Sequence, residues 1–182
     1  MITLAVAAVL AAVAIPNMRD FIRNNRLTAA GNDMLRSLQV ARSEAIKRQQ
    51  VVAACASGDP MADDPGCSGG AFTGWIVFQD TNNNWERDSG EDVLDRQSVA
   101  QGVRVVNNNS GVVSYSPSGF SNSTPGKTPT SRIVICDERG IVQTGTNSLG
   151  RAVLIEPAGR ARVTKEYATV DLALNTIGGS CP

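Results

Sequence analysis

MITLAVAAVLAAVAIPNMRDFIRNNR, residues 1–26, decides the fold. From Met1 to Pro16 the chain holds no charged residue, and it then runs into an arginine-rich helical pattern with no helix-breaking gap. A free N-terminus in water would not display Ile2, Leu4, Val6, Val9, Leu10, Val13 and Ile15, because contiguous exposed apolar surface drives association. The segment is therefore expected to be buried in lipid, in other subunits, or in both. At about 1.5 Å per residue, Ile2 to Ile15 covers roughly 20 Å, short of the ~20 apolar residues that a bilayer core needs. A cleaved secretory signal has an apolar region of similar length, but also a basic region ahead of it. Here no basic region precedes the run, and helix continues through Ile15-Pro16-Asn17-Met18-Arg19. The alanines between suit close helix–helix contact in an apolar medium.

Working outward, residues from Met18 to about Gln50 keep a helical period. Leu27, Gly31, Met34, Leu38, Ala41 and Ala45 form one apolar stripe, which Leu35 and Ile46 widen. Arg19, Arg23 and Arg26 lie just past the apolar head, where cationic side chains meet lipid headgroups or snorkel. A single helix this long far exceeds the globular norm: its first half must be buried elsewhere while its second half packs on a sheet.

After Gln50 the period drops to 2 or to short apolar runs. Strands are expected near 51–54, 74–78, 93–98, 103–106, 112–115, 132–136, 152–156 and 160–164. Loops are expected at 56–70, 80–90, 107–111 and 117–130, where Asn, Gly, Ser and Pro cluster. The reading is α+β, one domain of 182 residues, with a long N-terminal helix laid on an antiparallel sheet. Residues 1–25 form the membrane or filament-packing half of the helix. Residues 26–182 form the globular part, with helix 26–50 and sheet 51–182.

Net charge is zero, but it is unevenly spread. Residues 1–50 carry seven Lys/Arg against three Asp/Glu, 51–100 carry two against nine, and 101–182 carry eight against five. An acidic middle and a basic C-terminal part therefore hide in the total. No histidine is present, which removes the commonest general base and zinc ligand. With no nucleophile–base spacing, no Gly-x-Gly-x-x-Gly and no phosphate-cradling loop, an enzyme is not expected, and neither is a cofactor. Cys55, Cys67, Cys136 and Cys181 are even in number and follow an export-like segment, which favours disulfides in an oxidising compartment. None stands at Cys-x-x-Cys spacing, so no metal is expected there. Three pairings are open; the one expected is Cys55–Cys67 with Cys136–Cys181. Asp80-x-Asn82-x-Asn84-x-Glu86-x-Asp88-x-x-Glu91 has the cadence of a calcium loop. Trp85 stands where that loop needs Gly, and a polar hairpin of Asx turns is the expected form.

The stretch 1–18, with Ala-Ile-Pro-Asn before Met, resembles the N-terminal helix of type IV pilins and pseudopilins. Leu-Gln-Val-Ala-Arg-Ser-Glu-Ala-Ile-Lys-Arg (38–48), Gly-Trp-Ile-Val-Phe-Gln-Asp (74–80), Ser-Pro-Ser-Gly (116–119), Ile-Cys-Asp-Glu-Arg-Gly (135–140) and Gly-Arg-Ala-Arg-Val (159–163) resemble its GspH/FimT/FimU branch. Relatives carry a basic leader, a processing site and Phe-Thr-Leu-Ile-Glu-Leu directly before such a segment. Six or seven such residues ahead of Met1 would bring the apolar run, Pro16 included, to spanning length. The resemblance implies a minor pilin or pseudopilin, single-pass in a bacterial inner membrane with its globular part in the periplasm. Its N-terminal helix would assemble with other pilin subunits in a pilus or pseudopilus.

Glu156-Pro157-Ala158-Gly159 reads as a hairpin turn. Arg160 and Arg162, two apart on the strand after it, leave on one face, with Lys165 and Arg151 expected near. Paired guanidiniums bind phosphate oxygens bidentately. The resemblance implies a FimT-like role in which Gly159, Arg160, Arg162 and Lys165 hold double-stranded DNA through its phosphates during natural transformation. With only Tyr167 as a nearby aromatic, that contact would be independent of sequence and sensitive to salt. The alternative is a GspH-like type II secretion pseudopilin, whose acidic 80–95 loop or its neighbours meet exported protein cargo.

Overall fold

The computed structural model describes residues 2–67, 72–107, 111–123 and 131–181, with the side chains of Ile2 and of residues 4–17 outside that description. Helix α1 (Ile2–Arg48) is followed by β1 (Val52–Ser57), β2 (Gly74–Gln79), β3 (Val93–Ser98), β4 (Arg104–Asn107), β5 (Val112–Tyr115), β6 (Arg132–Cys136), β7 (Gln143–Thr144), β8 (Asn147–Ile155) and β9 (Ala161–Glu166). The order closes with α2 (Tyr167–Ile177). The backbone of the apolar head is helical. The packing expected of Ile2, Leu4, Val6, Val9, Leu10, Val13, Ile15 and Pro16 concerns side chains outside the described set. Among the described residues, no helix is long and apolar enough to cross a membrane.

The strands form two antiparallel sheets where the sequence pointed to one. The first runs β3-β2-β1-β5; the second runs β4-β6-β8-β7, with β9 also paired to β8. One stripe on α1 serves both. Leu27, Ala30, Met34, Leu38, Ala41 and Ala45 are buried against Val52, Ala54, Trp75, Val77, Val113 and Tyr115 of the first sheet. The same stripe packs on Ile133, Ile135, Val153 and Ile155 of the second. Small residues allow the close approach: a Cβ built on Gly31 would lie 3.4 Å from Val163 Cγ1.

Both sheets are also covered on the far side, so β1, β2, β5 and β6 read as apolar runs instead of alternating. Behind the first sheet, Ala53, Cys55, Ile76, Phe78 and Val112 gather around Trp85 from the 80–91 loop, and Cys55 is bonded to Cys67. Behind the second, Val134 and Ala152 take Val170, Ala173 and Leu174 of α2, with Cys136 bonded to Cys181. Helix α2 was not expected from the sequence. It ends on Gly178 at φ +64°, whose N–H donates to Asn175 O, while Gly179 N–H reaches Leu174 O. That is a glycine C-cap of the Schellman kind.

Where α1 leaves the globular part, the turn after β6 grips it. Asp137 accepts the Arg139 backbone N–H and two guanidinium hydrogen bonds of 2.7 and 3.1 Å at Oδ2. Arg139 also donates to Asp20 Oδ1 at 3.2 Å and Asn24 Oδ1 at 2.9 Å, and Arg23 pairs with Glu138 at 2.5 Å. Burial by itself would push the Asp137 carboxyl up, but the Arg139 hydrogen bonds and the Arg139 and Arg23 charges outweigh it and hold it below the ordinary aspartate value.

A carboxyl held low in the folded state adds stability above its unfolded pKa and loses it as pH falls through the folded pKa. Thermal unfolding of the full-length chain in mild detergent will therefore show Asp137→Asn less stable than wild type at pH 7, with the gap closing below about pH 4. Arg139→Ala, which leaves Asp137 nearly buried without its cation, will cost about 3 kcal/mol at pH 7.

Candidate functional site

Three stretches far apart in sequence meet at the end of the β8–β9 hairpin. Arg42, in the Ala-Arg-Ser-Glu-Ala run of α1, donates from Nε to Gly119 O at 2.9 Å and from Nη2 to Ala158 O at 3.0 Å. Ser121 N–H donates to Pro157 O at 3.0 Å. The hairpin closes through Glu156 N–H to Arg160 O and Gly159 N–H to Glu156 O. Gly159 has φ +77°, and a Cβ built there would fall 2.0 Å from Gly119 O and 3.2 Å from Arg42 Nε. Gly119 is equally confined, since its Cβ would meet Ile46 Cδ1 at 2.7 Å. Glycine is thus required twice, once on each side of the Arg42 guanidinium. Tyr115 is fully buried in the core that includes Ala41 and Ala45; burial pushes its phenol up to about 12, against a smaller pull from the Arg42 charge.

The turn mounts Arg160 and Arg162. Both are exposed, and among the described residues neither makes an ion pair or side-chain hydrogen bond. Alternation along β9 puts Ala161 and Val163 against α1, so Arg160 and Arg162 are carried on the opposite face, about 6.6 Å apart along the strand. Glu156 shares the turn with Arg160 without forming an ion pair with it among the described residues.

The register supplies a third cation that the sequence reading missed. Arg132 pairs with Leu154, and Leu154 pairs with Arg162. The three stand in one row across β6, β8 and β9, with the two arginines roughly 10 Å apart at two strand spacings. Arg132 is half-buried, and no partner of its side chain occurs among the described residues. Nothing in the linear sequence marks it, because only the strand pairing places it beside Arg162.

Two expected neighbours lie elsewhere. Lys165 is exposed but sits three residues beyond Arg162, so the pleat turns it to the other face. Arg151 lies on the α1 side, where Nη1 donates to the carbonyls of Ser148, Leu149 and Gly150 and Nη2 to Thr28 Oγ1. Burial, and then the charge of Arg139, pull its pKa down. Tyr167 opens α2 at the far end of β9, with its N–H on Thr146 O. Phe120, 55% exposed, lies between Gly119 and Ser121, whose backbones meet the hairpin turn at Gly159 and Pro157.

The Asp80–Glu91 loop uses its oxygens on its own backbone. Asp80, 1% exposed, accepts from Asn84 N–H at 3.0 Å and Trp85 N–H at 3.1 Å. Asn82 and Asn84 each cap the amide two residues on. Glu91 accepts from Thr81 N–H and Oγ1 and from Asp88 N–H. Trp85 takes φ +65°, which lets its ring turn into the core behind the first sheet. Burial raises the Asp80 carboxyl, and the Trp85 and Asn84 amides only partly offset it. Among the described residues, no three His, Cys, Asp or Glu side chains are grouped to hold a metal. A cleft of about 220 Å³ opens between Arg23, Arg26, Gln101, Gly102, Val103, Asp137 and Glu138. Its charges are engaged: Arg23 holds Glu138, and Arg26 donates to Gln101 O.

A long helix bridging two antiparallel sheets, closed by a clamped C-terminal hairpin, defines a pilin-like fold. Residues 30–159 match the family described as type II transport protein GspH, so the chain belongs to the GspH family. The match ends at Gly159, one residue before the arginine pair. The chain is similar to two crystal structures of the type IV minor pilin FimU of Pseudomonas aeruginosa PAO1. One is 20% identical over 79% of this chain and 92% of that one, with a TM-score of 0.53. The other, in a second crystal form, is 19% identical over 76% and 92%, with a TM-score of 0.50. At these identities the likeness establishes the fold. No curated protein matches the chain. Members of this family are structural pilin or pseudopilin subunits.

The clamp makes a direct prediction. Gly159→Ala forces a Cβ onto the Gly119 carbonyl and a side chain into the left-handed region, so it will cost more than the ~1 kcal/mol of an ordinary Gly change. A drop in melting temperature of several degrees in calorimetry of the full-length chain checks this; an unchanged melting temperature refutes it.

Proposed function

We propose that this chain is a minor subunit of a type IV pilus-type filament that also captures DNA through its phosphates. The apolar half of α1, residues 1–25, packs among other subunits' helices and in the inner membrane, leaving residues 26–182 on the periplasmic side or at the filament surface. The support is physical: α1 is 47 residues long, roughly 70 Å, and the first sixteen positions of the chain carry no charge. A charge-free helical stretch of that kind is stable only when other apolar matter covers it.

The capture role rests on Arg160 and Arg162. They are held out by a turn whose backbone is fixed from two sides, and among the described residues no acid neutralises them. Preorganised, unpaired guanidiniums on one face lose little freedom on meeting phosphate. Arg132 in the same row adds a third contact. Two or three phosphate contacts give weak binding per subunit, so several copies along a filament would act together.

The second reading is a type II secretion pseudopilin, favoured by the GspH family match over 30–159. Gene deletion separates the two, because loss of transformation supports the first and loss of protein export the second.

In electrophoretic shifts with the full-length chain in detergent, affinity for duplex DNA will fall with salt at a log–log slope of roughly −2 to −3. Arg160→Gln with Arg162→Gln will remove most of the binding. A double variant that shifts DNA as wild type does would eliminate this site.

A further inference from the structure

The cleft of about 220 Å³ lies between α1 and the turns that follow β3 and β6. That is below the ~300–1,000 Å³ of a drug-sized pocket and suits one small polar group. The charges that line it do not cancel. Glu138 is paired with Arg23 and Asp137 with Arg139, whereas among the described residues no carboxylate pairs with Arg26. Of the five N–H donors of a guanidinium, Arg26 spends one, on Nη1, which reaches the Gln101 carbonyl at 3.3 Å. The turn that presents this carbonyl closes through Val103 N–H to Ala100 O at 3.1 Å. Gly102 stands at its third position with φ +85°, as a type II turn requires. The remaining Arg26 donors have no partner among the described residues, and neither has Glu138 Oε2.

A guanidinium held by one carbonyl, with most of its donors unspent and no acid against it, suits the oxygens of a phosphate group. Its height on the rod says which phosphate. Arg23 and Arg26 stand seven and ten residues past Pro16, the end of the charge-free head, which is roughly 10 and 15 Å of helix. Helical side chains lean toward the N-terminus, so both guanidiniums are carried back toward the apolar segment, where cations meet phospholipid headgroups. We infer that this cleft binds the phosphodiester of a bilayer phospholipid, with Arg26 on the phosphate oxygens and Glu138 Oε2 accepting a hydrogen bond from the headgroup beyond it. This deepens the membrane half of the function proposed above and rests on it.

Isothermal titration of the full-length chain tests the inference, in a maltoside detergent that carries no phosphate and at about 0.15 M salt, where long-range attraction is screened. Three probes are compared: dihexanoylphosphatidylglycerol, dihexanoylglycerol and inorganic phosphate. Wild type is expected to bind the phospholipid at least fivefold more tightly than either control. Arg26→Gln should weaken phospholipid binding at least fivefold; Arg26 is exposed, so its loss leaves the core intact. Arg19→Gln, on the same helix but outside the cleft lining, should stay within twofold of wild type. Equal loss in the two variants would mean general attraction of a basic helix to anionic lipid and overturns the inference. Phosphate binding as tight as the phospholipid overturns it too, since the cleft would then be a site for free phosphate. Flotation with phosphatidylcholine vesicles reports separately on the membrane reading. A chain that does not float removes that reading and the cleft with it; one that floats while Arg26→Gln titrates as wild type does removes the cleft alone.

Discussion

The Arg42 guanidinium holds this molecule's working end together. It rises from the buried stripe of α1 and satisfies carbonyls from two chain segments, Gly119 beyond β5 and Ala158 between β8 and β9. Beyond these, the junction has the Ser121 N–H to Pro157 O hydrogen bond and apolar contact, which is not directional. Hydrogen bonds from a charged donor fix orientation as well as distance. The glycines at 119 and 159 follow from it, because the carbonyls can approach Arg42 and each other only where no Cβ intervenes. The exposed arginines and Phe120 inherit their positions from this junction.

The helix therefore has three regimes along one continuous rod. Its start, Met1 to Pro16, carries no charge. Its middle, Asp20 to Asn24, is gripped by Arg139 and Glu138, an ionic collar that fixes where the rod leaves the sheets. Its last third is a stripe of Ala, Leu and Met that both sheets share as a core. Polar contacts set direction at the collar and at Arg42, and apolar burial supplies the bulk of the stability between them.

Much of this was legible in the linear chain because the relevant signals are local. The strands at 112–115 and 132–136 fall where short apolar runs are bounded by Gly or Ser, and burial on both faces keeps those runs unbroken. The Gly159-Arg160-x-Arg162 spacing reads as one face from the two-residue pleat alone. What failed needed pairing information. A run such as Val51–Ala54 does not say which strands flank it, so two sheets were read as one. Strand β8 starts at Asn147, five residues earlier than expected, because Asn147 and Ser148 pair with Thr144 and Gln143 of β7, and Asn147 also pairs with Glu166 of β9 across an irregular stretch. Arg132 joins the row of Arg162 only through strand register. Helix α2 did leave a trace: Val170, Ala173, Leu174 and Ile177 recur at helical spacing before Gly178. Its Thr, Val and Tyr content and the strand just before it masked that period.

Hydrogen exchange on the full-length chain tests the junction most directly. If Arg42 ties the helix to both sheets, the amides of Gly119, Ser121 and Gly159 are protected in wild type, and Arg42→Ala accelerates all three together while α2 exchanges as before. Acceleration confined to the helix, or no change at Gly159, would contradict that role and show that the hairpin holds its arginines without Arg42.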